Sequence, residues 1–150
     1  MSEGHRVVVT EEEVVDAVHE RLSEARGGVV PIVAAGHPVL RAPALRYTGQ
    51  LGRDVLTELI EVMRATMHDA PGVGLAAPQI GIPLQIAVIE DLFDVAEGVA
   101  RVRERTPLSF RALINPRYTP VGRRTASFYE GCLSVLGYQA VVTRAAEVRL

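Results

Sequence analysis

The sequence has a single cysteine, no tryptophan and only 5% aromatic residues among its 150 residues. One cysteine cannot form an internal disulfide, so the composition does not indicate an oxidising, secreted setting. No apolar run reaches the roughly 18 residues of a membrane span, and no basic region followed by an apolar run opens the chain. The net charge of −2 argues against a nucleic-acid surface built on bulk positive charge. These absences predict a cytoplasmic protein without a membrane or DNA partner.

The apolar fraction, 48% of the residues, suffices for one domain with a hydrophobic core. A helix is predicted over residues 54–69, where apolar residues recur every three or four positions: Leu56, Leu59, Ile60, Met63 and Met67. Strands are predicted at 29–36, 84–90, 110–115, 124–129 and 138–150, with an irregular arm at 37–44 and a variable loop at 92–107. The pattern indicates an α+β fold with mostly antiparallel sheets around one amphipathic helix.

Residues 1–30 are predicted to form an N-terminal helical extension before a domain at 31–150. Thr10 can accept a hydrogen bond from the Glu13 N–H while the Glu13 carboxylate reaches back, which is a capping box. Gly27 and Gly28 are predicted to end this helix, and Val7-Val8-Val9 before it could pair as a strand. The sequence leaves open whether the helix packs on the domain or on a partner.

Residues 72–81 read Gly-Val-Gly-Leu-Ala-Ala-Pro-Gln-Ile-Gly. Gly72 and Gly74 allow backbone torsions that other residues resist, and they let another chain approach closely. Gln79 is a candidate for polarising a carbonyl, because its amide donors stand on a loop stiffened by Pro78; the alternative is a turn in which Gln79 only caps the backbone. The spacing also fits a dinucleotide fingerprint, but that motif needs a strand before it and a helix after it, and here the predicted order is reversed.

The single cysteine lies in Glu130-Gly131-Cys132-Leu133-Ser134. A lone cysteine is most often a small buried hydrophobic residue. The neighbouring glycines and Glu130 favour instead a thiolate at a turn between strands, which can bind a soft or borderline metal, although not alone. A nucleophilic thiol is a third alternative, but it needs a histidine base that no sequence feature supplies.

Together the two segments resemble the peptide deformylase family, whose members remove the formyl group from new polypeptides. The resemblance rests on Gly-x-Gly-Leu-Ala-Ala-x-Gln-x-Gly at 72–81 and Glu-Gly-Cys-Leu-Ser at 130–134. It extends to Gly-His-Pro-Val-Leu-Arg at 36–41 and Ile-Asn-Pro at 114–116, and so covers about residues 31–150. It implies a deformylase-like fold, N-formylmethionyl peptides as substrates, and action near the ribosome exit region.

The resemblance also implies roles for individual residues. Cys132 matches a ligand of the family's divalent metal, most often Fe(II), with Zn or Ni as alternatives. Gln79 matches the amide that hydrogen-bonds the reacting carbonyl, and Leu133 matches the residue whose backbone N–H holds the same oxygen. Four further positions match the substrate groove, where the peptide lies extended: Val73, Gly74, Glu130 and Gly131.

The chain departs from the family in its histidines. The family's His-Glu-x-x-His segment, which follows the cysteine, is absent. The most similar segment is His19-Glu20-Arg21-Leu22-Ser23, which lies upstream of both motifs and has serine in place of the second histidine. The fold is therefore expected to be incomplete at its C-terminus, with an apolar sheet face exposed. Either the chain is a fragment of an ordinary deformylase, or it is an inactive deformylase-like protein or peptide-binding module. In both cases we expect these 150 residues alone to bind the metal poorly.

Overall fold

A computed structural model describes residues 10–150, which contain three helices and seven strands. The helices are α1 (Glu11–Ser23), α2 (Arg53–Asp69) and α3 (Glu97–Arg103). The strands are β1 (Gly74–Ala76), β2 (Ile86–Asp91), β3 (Leu108–Ile114), β4 (Thr119–Pro120), β5 (Thr125–Cys132), β6 (Val135–Ala145) and β7 (Val148–Arg149). They form three antiparallel sheets, ordered β1-β2-β3, β4-β7 and β5-β6. The predicted α+β class with antiparallel sheets is confirmed.

The core is centred on α2, the predicted amphipathic helix. Leu59, Met63 and Met67 have no exposed surface, in agreement with their predicted stripe. The helix also buries Thr66, whose hydroxyl oxygen accepts a hydrogen bond from the Val30 N–H at 3.1 Å. Burying a large aliphatic side chain stabilises the fold by roughly 1.5–3 kcal/mol relative to leaving it exposed, so this face of α2 contributes strongly to stability.

Helix α1 begins as predicted, with a capping box. The Glu13 N–H donates to the Thr10 hydroxyl at 3.2 Å, and the Thr10 N–H donates to the Glu13 carboxylate at 2.7 Å. Val14 and Val18 are fully buried in the same core as α2, so the helix packs on the domain. The strand considered for residues 7–9 lies outside the described residues.

The end of α1 comes earlier than predicted. The helix stops at Ser23, whereas Gly27 and Gly28 stand a few residues later, with φ of 62° and 82°. These left-handed conformations, which glycine adopts at no steric cost, form a turn that joins Arg26 and Val29 in an isolated antiparallel bridge.

Residues 29–36 do not form the predicted strand. Their backbone N–H groups donate to three separate parts of the chain: Val30 to the Thr66 hydroxyl, Val33 to the Gln79 carbonyl at 2.9 Å, and Ala35 to the Ser134 carbonyl at 2.7 Å. Because each of these donors bonds to a different segment and not to successive residues of one strand, no β-ladder forms. The segment instead connects α2 with the turns that carry the two motifs.

Two segments predicted to be irregular contain short helices. The loop prediction for 92–107 was wrong over α3, and a 3₁₀ turn occupies Pro38–Leu40 within the predicted arm. After α3, Arg105 donates two hydrogen bonds of 2.6 Å to Asp91 on β2. This anchor holds the end of the segment against the sheet, a long-range contact that local composition does not report. None of the three described helices is long and apolar enough to cross a membrane.

The β5–β6 hairpin carries the second motif. Its register is regular up to the pair Gly131–Gln139 and then shifts, so that Cys132 pairs with Val135. The extra residues on β6 include Gly137 at φ 80°, which permits the bulge. Leu136, in the bulge, is 80% exposed. The single strand predicted at 138–150 is in fact two, β6 and β7.

Candidate active site

The two sequence motifs meet at an open cavity of about 1070 Å³ next to β1 and the β5–β6 hairpin. Every residue to which the sequence analysis assigned a role lines it: Val73, Gly74, Gln79, Glu130, Gly131, Cys132 and Leu133. Positions more than fifty residues apart in the chain are therefore neighbours in the structure. The cavity brings the candidates together, while the role of each stays a prediction.

Two edge strands border this cavity. Among the described strands, β1 pairs only with β2 and β5 pairs only with β6. Val73 and Gly74 lie at the first edge, and Glu130 and Gly131 lie on the second. An edge strand presents backbone N–H and C=O groups that an extended peptide can pair with. The site is thus suited to hold a peptide backbone alongside the thiol and the amide.

Gln79 is oriented so that its amide nitrogen faces the cysteine. Its Oε1 accepts a hydrogen bond from the Ala76 N–H at 2.9 Å. Its Nε2 then lies 3.8 Å from Cys132 Sγ and 3.4 Å from Ser134 Oγ. The two interpretations of Gln79, a cap of the turn and a donor to a bound carbonyl, are therefore compatible. Its oxygen caps the turn, while its nitrogen is a donor toward the cavity. A donor in this position can polarise a carbonyl bound beside the thiol.

Cys132 is exposed at the end of β5, which removes the alternative of a buried hydrophobic cysteine. The next residue, Leu133, packs on Gly72 so closely that a Cβ added there would lie 2.7 Å from Leu133 Cδ1. Neither Gly72 nor Gly74 has a positive φ, so neither uses the left-handed torsions that glycine allows. Gly72 instead lets the Leu133 side chain approach closely, and a larger residue there would require Leu133 to shift.

An ion pair sets the charge at one side of the cavity. Arg144 donates from Nε and Nη2 to the Glu130 carboxylate at 3.1 and 2.9 Å. The hydrogen bonds from Arg144 hold the pKa of Glu130 below its ordinary value, so the carboxylate is ionised at neutral pH. The Glu130–Arg144 pair consequently adds no net charge to the groove, and the Glu130 side chain is held by Arg144.

A second carboxylate supports the first edge strand. Glu90 is only 5% exposed, and Arg64 donates to it from Nε and Nη2 at 2.9 and 2.7 Å. These bonds, together with His68, lower the pKa of Glu90 and keep it charged despite its burial. The backbone N–H of Glu90 donates to the Val73 carbonyl at 3.1 Å, and so Val73 is held at the cavity.

The described residues do not by themselves form the predicted metal site. Within residues 10–150, no group of three or more His, Cys, Asp or Glu side chains is placed to hold a metal. His68 is hydrogen-bonded to Glu90 at 2.7 Å, and none of the residues that line the cavity around Cys132 is a histidine. The thiol therefore lacks both the partners of a metal site and the base of a cysteine nucleophile in the described part of the chain.

Sequence reasoning missed several residues of the cavity wall, most of them on β6 or in its bulge: Pro71, Val135, Leu136, Gly137, Tyr138, Gln139 and Arg144. Arg144 had no clear signal, since it is one of three charged residues in the strand predicted at 138–150, with Glu147 and Arg149. Leu136 and Gly137, in the bulge, depend on the register shift between Gly131 and Cys132. A shift of this kind changes which side chains face the cavity, and a strand pattern alone does not report it.

An antiparallel α+β fold, with a thiol and an amide converging in a groove between two edge strands, defines the structural class of this protein. Within that class, the chain belongs to the polypeptide deformylase family, whose model matches residues 29–150. The match begins close to the predicted boundary between the extension and the domain.

Individual relatives agree with the family assignment. The chain is 59% identical over 135 residues to peptide deformylase 3 of Streptomyces avermitilis and 56% identical over 133 residues to peptide deformylase 1 of Streptomyces coelicolor. These alignments cover 90% and 87% of this chain but only 59% and 61% of the relatives, so the chain spans about three fifths of their length.

Solved structures show the same fold. The Met-Ala-Ser-bound class I type b peptide deformylase from Acinetobacter baumannii superposes with a TM-score of 0.67 at 27% identity, covering 78% of this chain and 71% of that one. The actinonin-bound form of the same enzyme gives a TM-score of 0.63 at 27% identity, over 78% and 69% of the two chains. The predicted deformylase-like fold is confirmed.

Proposed function

We propose that this chain provides the cysteine–glutamine part of a peptide deformylase, an enzyme that hydrolyses the N-formyl group of N-formylmethionyl peptides. The observation that carries the proposal is the 3.8 Å separation of Gln79 Nε2 and Cys132 Sγ in a cavity bordered by two edge strands. Membership of the family supports it, as does the Met-Ala-Ser complex of the related Acinetobacter enzyme. We expect the reaction in the cytoplasm, on polypeptides near the ribosome exit region.

In this proposal the chain binds and polarises the substrate. The peptide backbone lies along the edges at Val73 and Gly74 and at Glu130 and Gly131. The formyl oxygen accepts from the Gln79 amide and from the backbone N–H of Leu133, so that negative charge developing on that oxygen is met by two donors. These donors stand on turns that the protein has already ordered, which spares the cost of arranging them during the reaction.

Peptide deformylases are metal-dependent, and we assign Cys132 as one ligand of a divalent metal, with Fe(II) favoured over Zn or Ni. The described residues do not complete that site. We predict that residues 1–150 retain far less than one equivalent of Fe(II), Ni(II) or Zn(II) after anaerobic loading and desalting, as measured by inductively coupled plasma mass spectrometry. The Cys132→Ser variant is the control for adventitious binding. Stoichiometric metal together with turnover of a formyl-Met peptide would contradict this.

The role of Gln79 is tested with Gln79→Glu, which keeps the oxygen that caps Ala76 and removes the amide donor. Binding of formyl-Met-Ala-Ser should weaken by about tenfold, because a hydrogen bond of roughly 1 kcal/mol is replaced by two opposed oxygens. Binding of unformylated Met-Ala-Ser should not weaken, because its free ammonium group is attracted by the new carboxylate. Fluorescence anisotropy with labelled peptides measures both affinities.

The matched control is Gln50→Glu, since Gln50 is not among the residues lining the cavity. If the wild-type chain bound both peptides equally well and Gln79→Glu changed neither affinity, the assignment of Gln79 to the formyl oxygen would be wrong.

A peptide-binding module without chemistry is the alternative function, since an edge strand can hold an extended peptide whether or not a reaction follows. The same titrations separate the two functions. A simple strand-addition module binds formylated and unformylated peptides alike, whereas a deformylase site prefers the formyl group.

A further inference from the structure

The groove continues beyond the candidate active site. A second open cavity of about 580 Å³ shares Val73, Gly131 and Gln139 with the cavity around Cys132. Its far end is formed by side chains of α3, β5 and the segment after α3, which the sequence had predicted to be a loop. A peptide that starts at Cys132 and follows the strand edges therefore has a continuous path into this second cavity.

One arginine in the second cavity forms no ion pair with a described carboxylate. Arg105 and Asp91 form a bidentate pair at 2.6 Å, so together they carry no net charge. Arg103, the last residue of α3, has no carboxylate oxygen within 4.0 Å among residues 10–150. Arg103 is close enough to Glu130 to help lower the pKa of that carboxyl group, but Glu130 is already paired with Arg144, so the three groups together carry one net positive charge.

The guanidinium of Arg103 is held in place by uncharged partners. It lies over the Phe128 ring, 4.8 Å from the ring centre, and one of its nitrogens donates to the Tyr129 carbonyl at 3.5 Å. Stacking on an aromatic ring restrains a planar guanidinium while its remaining N–H donors stay available. Those donors match the two oxygens of a carboxylate.

We propose that Arg103 is a specificity-determining residue that selects peptides with an acidic side chain at one of the positions following the N-terminal methionine. The inference rests on the proposed function, because it takes the groove between β1 and β5 as the path of a peptide. Arg103 acts on binding rather than on the reacting carbonyl, since it lines the second cavity and not the one that contains Gln79 and Cys132.

The test uses formyl-Met peptides with C-terminal amides that carry either Asp or Asn at the second, third or fourth position. The wild-type chain should bind one of the Asp peptides about two- to fivefold more tightly than its Asn counterpart, as expected for a solvent-exposed ion pair. The preference should shrink at 1 M salt, where the screening length is only about 3 Å. Fluorescence anisotropy provides the affinities, and circular dichroism confirms that each variant is folded.

Arg103→Gln should abolish the Asp preference without changing the affinity for the Asn peptides, and Arg103→Lys should retain part of it. Arg101→Gln is the matched control, because Arg101 is on the same helix but lines neither cavity. The proposal is overturned if no position shows an Asp preference, or if the preference survives in Arg103→Gln.

The affinities of the Asn peptides with and without the formyl group test the proposed function independently of Arg103. An Asp preference that follows Arg103 without any formyl preference supports the subsite and contradicts the deformylase site. A formyl preference without an Asp preference supports the deformylase site and contradicts the subsite at Arg103. Failure of every peptide to bind contradicts both.

Discussion

The sheet β1-β2-β3 and the β5–β6 hairpin are both antiparallel, yet they expose their apolar side chains to very different extents. Leu75 and Val88, on β1 and β2, are at most 2% exposed, because this sheet packs on α2. Tyr138 and Val141 on β6 are 76% and 58% exposed. The stability of the described fold therefore depends mainly on the first region, whereas the second contributes the thiol.

Few contacts join the hairpin turn to the rest of the protein. The Ala35 N–H donates to the Ser134 carbonyl, Leu133 packs on Gly72, and the Gln79 amide approaches the Ser134 hydroxyl at 3.4 Å. The geometry of the candidate active site can therefore be changed without unfolding the core. Substitutions in the core sheet should therefore change mainly the stability, whereas substitutions at the hairpin turn should change mainly the geometry of the site.

The largest difference is expected between two leucines, one in each region. Leu59→Ala on α2 should lower the free energy of unfolding by about 2–5 kcal/mol, because Leu59 has no exposed surface. Leu136→Ala on β6, where the side chain is 80% exposed, should change it by about 0.5 kcal/mol or less. Urea denaturation followed by circular dichroism measures both values. Similar losses in the two variants would show that the hairpin is part of the core after all.

A smaller effect is expected at the contact between the regions. Gly72→Ala should destabilise the protein by about 1–3 kcal/mol, since its new Cβ would lie 2.7 Å from Leu133. In the matched variant Gly74→Ala the new Cβ would lie 3.5 Å from Ile89, an ordinary contact, and the stability should change by less than about 1 kcal/mol.

The rate at which iodoacetamide alkylates Cys132 gives a second measurement for the same pair of variants. Gly72→Ala should change this rate by moving Leu133, the residue next to the thiol, whereas Gly74→Ala should leave it unchanged. A greater loss of stability in Gly74→Ala than in Gly72→Ala would contradict the assigned contact.

The smallest effect concerns pH and the Glu130–Arg144 pair of the hairpin. Because the folded state lowers the pKa of Glu130, the stabilisation is present at neutral pH and is lost as the pH falls below the ordinary glutamate value of about 4.3. Between pH 6 and pH 3, the melting temperature of Arg144→Gln should therefore fall slightly less than that of the wild-type protein.

The exposed Glu104–Arg124 pair, which lies outside the cavity, is the control for that measurement. Arg124→Gln should reduce the acid dependence in the same direction, because Arg124 lowers the pKa of Glu104. Only Arg144→Gln should also weaken peptide binding at neutral pH. Equal effects of the two variants on peptide affinity would contradict a role for the Glu130 pair in the groove.

The parts of the fold that were predictable from the sequence are those determined by neighbours in the chain. The apolar stripe of α2 and the capping box at Thr10 each follow from residues within a few positions of one another. The strand expected at 29–36 and the loop expected at 92–107 failed for the opposite reason. Both segments are organised by distant partners, such as Ser134 for Ala35 and Asp91 for Arg105.

The sequence by itself determined which chemical groups the protein has: a single thiol, one amide in a glycine-rich motif, and the residue order that identifies the family. Only the tertiary structure decided that Gln79 Nε2 faces Cys132 Sγ, that Gly72 makes room for Leu133, and that α3 brings Arg103 to the end of the groove. The physical reason is that side-chain identity is a local property of the chain. The distance between two side chains instead depends on the register and packing of strands formed by remote segments.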